Sequence, residues 1–264
     1  MTSDWYHADY HDIAKSVVSL PAPLTQPYSN NNLINGRMPF DWADANITTF
    51  NRTCTRNSEY SVFKFTKGKT FRLRLMNIGS QGMQRFTIDG MKMMVITQDF
   101  VPVVPCETDV VTLGIDQRSD VLVTATGDST DAIWMRSDVS ALCAVSTQGH
   151  AKAAIYYEKA NTAVLPKSAA TVYDDSFCGN VPLNVTTPLF PMDPPTAPAT
   201  TITLDIKFAA NATGNRLWFV NNQTFRADFE HPILLLEHGG NTSYAKAPER
   251  MTYNVGSNSS VRII

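Results

Sequence analysis

Short alternating runs of apolar and polar residues fill the stretch from residue 60 to residue 125. Within residues 71–75, apolar side chains alternate with two arginines, which is the period-two pattern of a half-buried strand. Gly68 and Gly90 separate such runs, in Lys-Gly-Lys and Asp-Gly sequences that tolerate the positive φ of hairpin turns. Residues 91–96 are almost continuously apolar, which predicts a strand that is covered on both faces. The stretch as a whole predicts a β-sandwich.

The pattern before this stretch is less regular. Residues 4–18 predict a strand that continues as a short helix, with Asp12 as its N-cap. Residues 20–32 are rich in proline and asparagine and predict a loop, and residues 33–36 predict a short strand that ends in a turn. We interpret residues 38–58 as a surface excursion.

Proline becomes frequent after residue 158, and seven prolines lie between there and residue 200 with little periodicity. We therefore predict an interdomain linker over residues 161–198. The residues before it, 1–160, form a first domain that ends in strands at 133–135 and 153–157. Residues 199–264 form a second β unit.

Apolar alternation returns in this second unit at residues 202–208. Further strands are predicted at 217–220, 233–236 and 260–264. A unit of about 65 residues with so few strands would leave strand edges unpaired and its core half covered. We therefore expect the second unit to be incomplete and the chain to be a fragment.

Composition excludes several classes of function. The net charge is −2, charged residues make up 17 % of the chain, and lysine and arginine form no extended cluster. Such a surface does not suit a nucleic-acid backbone or an anionic membrane. The longest apolar runs are too short to span a bilayer. Sparse charge with abundant Thr, Asn, Ser and Pro is typical of a secreted all-β protein.

Sequons of the form Asn-X-Ser/Thr also indicate a protein made for the outside of the cell, and they are candidate glycosylation sites. They occur at Asn46, Asn51, Asn184, Asn211, Asn222, Asn241 and Asn258. The first twelve residues nevertheless contain no apolar signal-peptide core. A secretory composition without a secretory leader again predicts an incomplete chain.

The four cysteines, Cys54, Cys106, Cys143 and Cys178, are even in number and permit two disulfides. The alternative is four buried thiols in a cytosolic protein.

No metal-binding constellation is evident in the sequence. A blue-copper site needs two histidines and a cysteine, and a structural zinc site needs close Cys or His pairs. His7 and His11 are four residues apart and could share a helical face, but acidic residues surround them, which favours polar surface. His150 stands alone, whereas His231 and His238 bracket the predicted strand at a spacing that sends them to opposite faces. Motifs of serine hydrolases, zinc proteases and nucleotide-binding loops are absent as well.

A set of longer motifs resembles one known family. These motifs are SDWYH (3–7), INGR (34–37), GKTFRLRLMNIGSQ (68–81), FTIDG (86–90), VITQDFVPV (95–103), QRSDVLV (117–123) and W-x-R (134–136). In order and spacing, residues 1–160 resemble the middle cupredoxin domain of fungal laccase-like multicopper oxidases. Residues 216–264 resemble the opening strands of the third domain of those proteins.

The resemblance implies an all-β, cupredoxin-like Greek-key β-sandwich or barrel, followed by a linker and an incomplete second cupredoxin-like unit. It also implies a secreted oxidase that takes single electrons from phenol-like donors at a blue copper and reduces O₂ to water at a three-copper cluster. In the family, the copper ligands lie in HWHG, HSH, HPxHLHG and HCH motifs of the first and third domains. This sequence contains none of them, and His231-Pro232 continues as Ile-Leu-Leu-Leu.

We therefore expect a fragment of such an oxidase, its copper-free bridging domain, which is inactive alone and binds no copper. Its partners would be the missing first and third domains and, in the full-length enzyme, the phenolic donor and O₂. The alternative is a non-catalytic secreted β-sandwich glycoprotein that binds a partner or a carbohydrate.

The resemblance also singles out individual residues. Gln81 occupies the place where some relatives carry a carboxylate that faces the phenolic substrate, which makes it a substrate-pocket candidate; the alternative is an ordinary polar loop residue. Cys143 and Cys178 match the spacing of a family disulfide, whose loop closure would stabilise the fold by roughly 3–4 kcal/mol. Cys54 and Cys106 either pair with each other, or Cys54 has its partner in the missing first domain.

Overall fold

A computed structural model describes residues 1–18, 27–42, 58–180, 185–228, 230–241, 251–255 and 260–264. The chain divides into two compact units. The first comprises residues 1–10 and 27–191, and the second comprises residues 11–26 and 192–264.

Strands make up the first unit. They are β1 (Thr2–Trp5), β2 (Ser29–Ile34), β3 (Ser61–Phe65), β4 (Thr70–Met76), β5 (Gln84–Ile88), β6 (Met93–Gln98), β7 (Val101–Thr108), β8 (Val111–Leu113), β9 (Arg118–Thr124), β10 (Ala132–Val139), β11 (Ser146–Gln148) and β12 (His150–Tyr157). Helix α1 (Tyr10–Val18) follows β1 and passes from the first unit into the second at His11.

Two sheets enclose the core of this unit. One has the strand order β3-β12-β10-β5-β8 and the other the order β4-β9-β6-β7, while a smaller sheet has the order β1-β2-β11. The buried apolar side chains come from both large sheets, including Phe86, Ile88, Met93, Val121 and Ile155, each at most 1 % exposed. This arrangement confirms the predicted all-β sandwich.

The turns and the alternation agree with the pattern in the sequence. Gly68 and Gly90 adopt φ values of 78° and 69°, as hairpin turns require. One expectation was wrong, because β6 is not covered on both faces. Met93 and Val95 are buried, but Met94 is half-buried on the opposite face, and the pairing register of the strand shifts after Val95.

The N-terminal elements begin earlier than predicted. Helix α1 starts at Tyr10, so Asp12 is not its N-cap but lies in the first turn, where a carboxylate still interacts favourably with the helix dipole. Strand β2 starts at Ser29 rather than at residue 33. The sequence pattern did not predict this part of β2 as strand, because it contains asparagines and asparagine is rare in strands.

One of those asparagines belongs to a buried polar network. The side-chain amide of Asn32 donates to Gln84 Oε1 at 2.9 Å, to the carbonyl of Ser137 at 2.7 Å and to that of Gly149 at 3.1 Å. In return, Gln84 Nε2 donates to Asn32 Oδ1 at 3.0 Å, and Ser137 Oγ donates to Gln84 Oε1 at 2.8 Å. Asn32, Gln84 and Ser137 are fully buried. Their mutual hydrogen bonds offset the cost of removing them from water.

A buried ion pair links two strands of the larger sheet. Arg136 on β10 donates two hydrogen bonds of 2.8 Å to the carboxylate of Asp89, which directly follows β5. Ser168 Oγ donates to the same carboxylate at 2.6 Å and accepts the backbone N–H of Trp134 at 2.9 Å. These contacts account for the aspartate of the FTIDG motif and the arginine of the W-x-R motif.

Residues assigned to the linker by sequence lie partly on the first unit. Ser168 contacts Asp89, and Leu189 N donates to the carbonyl of Pro102 on β7 at 2.8 Å. Val104 N donates to the carbonyl of Thr187 at 2.8 Å, so this segment pairs with the otherwise open edge of β7. The domain boundary at residue 160 stays a prediction.

The second unit is built from β13 (Thr200–Ile202), β14 (Ile206–Ala210), β15 (Arg216–Val220), α2 (Ile233–His238) and β16 (Val261–Ile263), together with most of α1. Strand β13 pairs with β16 in parallel, and β14 pairs with β15 antiparallel. None of the described residues of 192–264 is buried. The rings of Phe208 and Trp218 contact each other across β14 and β15 in a tilted arrangement, while both remain more than half exposed.

The predicted strand at 233–236 was wrong, because these residues form helix α2. Leucine is a strong helix former, and a short apolar run does not distinguish a helix from a strand. Pro232 stands at the N-cap, and its carbonyl accepts the N–H of Leu236 at 3.0 Å. The helix ends at Gly239 and Gly240, the latter with φ 78°. His231 and His238 therefore flank a helix.

The ion pair gives a direct test of the fold. We expect Asp89→Asn to lower the free energy of unfolding by about 3–5 kcal/mol, because it leaves the guanidinium of Arg136, 14 % exposed, without its counter-charge. Glu107→Gln is the matched control. It removes a carboxylate from the exposed pair with Lys92 and should change the free energy of unfolding far less, because solvent screens that pair. Urea denaturation of both variants measures the difference, and equal losses would contradict the assigned role.

Candidate functional site

The loop that carries Gln81, residues 79–82, is wrapped around a buried carboxylate. Asp4 on β1 is 7 % exposed, and its Oδ1 accepts the backbone N–H of Ser80 at 2.8 Å. Its Oδ2 accepts the N–H groups of Gln81 at 2.8 Å and of Gly82 at 2.7 Å. Three successive backbone N–H groups therefore converge on the side chain of Asp4, which lies far from them in the sequence.

Asn77 fixes the base of the same loop. Its side-chain amide donates to the carbonyls of Gly82 at 2.8 Å and Leu113 at 3.0 Å, and its Oδ1 accepts the N–H of Gly79 at 3.0 Å. Thr2 of β1 accepts the N–H of Ile78 through its carbonyl at 2.9 Å. The loop is therefore tied to β1, to β8 and to itself.

The side chain of Gln81 is held as well. It is half-buried, and its Oε1 accepts a hydrogen bond from the hydroxyl of Tyr6 at 3.2 Å. Burial is the main cause that raises the pKa of the Tyr6 hydroxyl, which therefore stays protonated and donates at neutral pH. A neutral amide in this place can form hydrogen bonds to a ligand, but it cannot accept a proton from a phenol.

Asp4 and Tyr6 were not recognised as site residues from the sequence. The signal was present, since both belong to the SDWYH motif that carries the family resemblance. A sequence pattern does not show that this motif contacts residues some 75 positions later in the chain.

His7 ends the same motif and packs among aromatic rings. Its ring lies 4.5 Å from that of Phe40 in an edge contact and 5.0 Å from that of Trp42 in a stacked one. Burial lowers the pKa of His7, which favours the neutral ring. Because α1 begins only at Tyr10, His7 does not share a helical face with His11.

The disulfide implied by the resemblance is present in the structure and joins Cys143 to Cys178. Polar contacts fasten the segment around it. Arg85, whose side chain is 3 % exposed, pairs with Asp175 at 3.1 Å and donates to the carbonyls of Phe177 and Gly179. Residues 168–179 are thus attached to the rest of the first unit by a covalent bond and by partly buried polar contacts.

Comparisons with known proteins agree with this arrangement. The sequence model of the multicopper oxidase family matches residues 1–160. The chain belongs to the multicopper oxidase family.

The relatives with similar sequences include laccases of fungi. The chain is 29 % identical over 245 residues to "Laccase-3" of Botryotinia fuckeliana, covering 92 % of this chain and 51 % of that protein. It is 31 % identical over 229 residues to a laccase of Cryphonectria parasitica, covering 85 % of this chain and 36 % of the relative. The chain therefore spans about half or less of the length of these relatives.

Solved structures show the same fold. The crystal structure of a laccase from Botrytis aclada superposes with a TM-score of 0.76 at 24 % identity, covering 94 % of this chain and 43 % of the laccase. The multicopper oxidase Fet3p, described as functioning in iron import, gives a TM-score of 0.65 at 23 % identity, with 86 % and 39 % coverage. The predicted cupredoxin-like fold is confirmed.

Copper is the cofactor that this family implies, and the described residues do not fit it. A blue-copper site needs two histidines and a thiolate close together. Within the described ranges no group of three His, Cys, Asp or Glu side chains could hold a metal ion. Cys143 and Cys178 are joined to each other, and Cys106 is the described cysteine outside the disulfide. His150 pairs with Asp138, and His231 with Asp228.

Some predicted residues lie outside the described part of the chain. These are Cys54, so that its pairing stays open, and the sequons at Asn46, Asn51, Asn184 and Asn258. Asn211, Asn222 and Asn241 are described and lie in the second unit, where Asn211 stands in the turn between β14 and β15. No helix in the described part of the chain combines the length and the apolar character needed to cross a membrane.

His150 gives the stability of the fold a pH dependence. Its Nδ1 lies 2.9 Å from Asp138 Oδ1, and the hydroxyl of Tyr173 donates to the other carboxylate oxygen at 3.0 Å. The hydrogen bond to Asp138 is the main cause that raises the pKa of His150. A folded-state pKa above the unfolded one stabilises the fold at low pH, and this contribution is lost as the pH rises through the folded value.

We therefore predict that wild type loses stability relative to His150→Gln as the pH is raised from about 5 to about 8. Urea denaturation at both pH values measures the difference. In an Asp138→Asn background the same histidine substitution should no longer alter the pH dependence. A larger wild-type advantage at the higher pH would contradict the assignment.

Proposed function

We propose that this chain supplies the copper-free bridging domain of a secreted, laccase-like multicopper oxidase and is inactive by itself. In this proposal residues 1–160 form the bridging domain, residues 161–198 the linker, and residues 199–264 the opening part of the next cupredoxin-like domain. The whole oxidase would take single electrons from phenol-like donors and reduce O₂ to water. Its coppers would be bound by a first and a third domain, which are the partners of this chain.

One observation carries this proposal. The family match covers residues 1–160, yet two of the three histidines in that range are used for packing and pairing. His7 lies among aromatic rings and His150 pairs with Asp138. The likeness to laccases therefore resides in the sandwich and its loops, which supports a scaffold role for this part of the protein.

Within the scaffold, Gln81 is proposed as a wall of the phenol pocket. Its amide can bond to the oxygen of a phenolic donor, but it does not accept the proton that leaves when the phenol is oxidised. In the whole oxidase that proton would pass to water or to a group on another domain. The carboxylate bound by this loop, that of Asp4, is buried and is engaged by three backbone N–H groups.

The copper content of the purified chain tests the proposal. After incubation with copper and exhaustive dialysis, we expect less than one copper per chain and no blue thiolate-to-copper absorption band. A fungal laccase treated in parallel is the positive control. Cys106→Ser is the matched variant, because it removes the described cysteine that is not in the disulfide.

Stoichiometric copper with a blue band would overturn the proposal. Loss of that band in the Cys106→Ser variant would then identify the ligand. Weak copper uptake that is colourless and equal in both proteins would be surface binding and would leave the proposal intact.

A further inference from the structure

The contact between Asp4 and the 79–82 loop has the geometry of an anion nest filled by the chain itself. The N–H groups of Ser80, Gln81 and Gly82 lie 2.7–2.8 Å from the two carboxylate oxygens. Ser80 Oγ adds a longer contact to Oδ1 at 3.3 Å. Successive backbone donors that converge in this way form a concavity suited to a negative charge. Hydrogen bonds of this kind to an ionised acceptor are stronger than neutral ones.

Glycines allow the loop to approach this carboxylate closely. A Cβ atom on Gly79 would lie 2.9 Å from Asp4 Oδ1 and 3.0 Å from Asn77 Oδ1. A Cβ atom on Gly82 would lie 3.4 Å from Asp4 Oδ2 and 3.1 Å from Val139. Any side chain at position 79 therefore displaces the carboxylate or the loop.

The same strand end also holds the side chain of Gln81. Asp4 binds the backbone N–H of Gln81, and Tyr6, just after β1, donates its hydroxyl to Gln81 Oε1. Strand β1 is itself fixed by pairing with β2 over its whole length. Asp4 on β1 and Tyr6 just after it thus hold the main chain and the side chain of Gln81, respectively.

We propose that Asp4 is a positioning residue for Gln81. Its negative charge, bound by the three backbone N–H groups, fixes the position of Gln81, the residue proposed to line the pocket. This rests on the proposed function only in so far as Gln81 lines a substrate pocket. The positioning claim concerns atoms of this chain and is testable without substrate or copper. Tyr6 positions the same residue through the hydrogen bond from its hydroxyl to Gln81 Oε1.

The test uses the full-length chain with Asp4→Asn, which keeps the shape of the side chain but removes its charge. We expect amide hydrogen exchange at Ser80, Gln81 and Gly82 to increase about 10- to 100-fold, because charge-assisted bonds are lost locally. The side-chain amide resonance of Gln81 should shift, while that of the fully buried Gln84 should not. Asp109→Asn, an exposed carboxylate in the same unit, is the control and should change neither.

A second variant separates positioning from general stability. Asp4→Gly empties the nest, and formate, a small carboxylate, should restore the protection of the three amides. Sodium chloride at equal ionic strength should not. Gly79→Ala keeps the charge but displaces it, so it should shift the Gln81 resonance even if Asp4 variants fold poorly.

Two results would overturn the proposal. The first is exchange that rises equally across the sandwich in Asp4→Asn, which would mean that Asp4 only stabilises the fold. The second is a failure of formate to restore protection in Asp4→Gly. Copper binding by the chain, or a phenol that does not contact Gln81, would defeat the proposed function but would leave these measurements unchanged.

Discussion

The apolar layer between the five-stranded and the four-stranded sheet constrains the rest of the molecule. Because this layer excludes water, each charged side chain buried next to it requires a hydrogen-bonding or ionic partner within the protein. Asp89 meets this requirement through Arg136 and Ser168, and Arg85 through Asp175 and backbone carbonyls. At the end of the sandwich, Asp4 meets it through the 79–82 loop. Contacts with buried charged side chains thus fix the 79–82 loop and the segment that carries Ser168 and Asp175.

This explains the presence of an acidic or basic residue in three of the family motifs. The aspartates of SDWYH and FTIDG and the arginine of W-x-R are fold determinants, each with a named partner. All three stabilise the sandwich, and the aspartate of SDWYH also binds the loop that carries Gln81. Chemistry at copper would require histidines brought together, and His7, His150 and His231 are instead engaged in separate packing and pairing contacts.

Local patterns predicted the elements that local physics decides. Alternation gave strands such as β4 and β9, and the glycines at 68 and 90 gave turns, since these depend on neighbouring residues alone. Strand β2 was missed in part because Asn32 is stabilised by Gln84 and Ser137, which lie far away in sequence. Helix α2 was missed because a run of four apolar residues fits either state. The resemblance drew attention to Gln81, but its contact with Tyr6 is tertiary and only the structure supplied it.

The central claim is that this chain is the bridging part of a larger copper oxidase, and its coding context tests that claim most directly. Sequencing the full-length transcript should reveal in-frame HWHG and HSH motifs upstream, and HPxHLHG and HCH motifs downstream. A transcript that encodes only these 264 residues, with stop codons on both sides and no such motifs, would contradict the account.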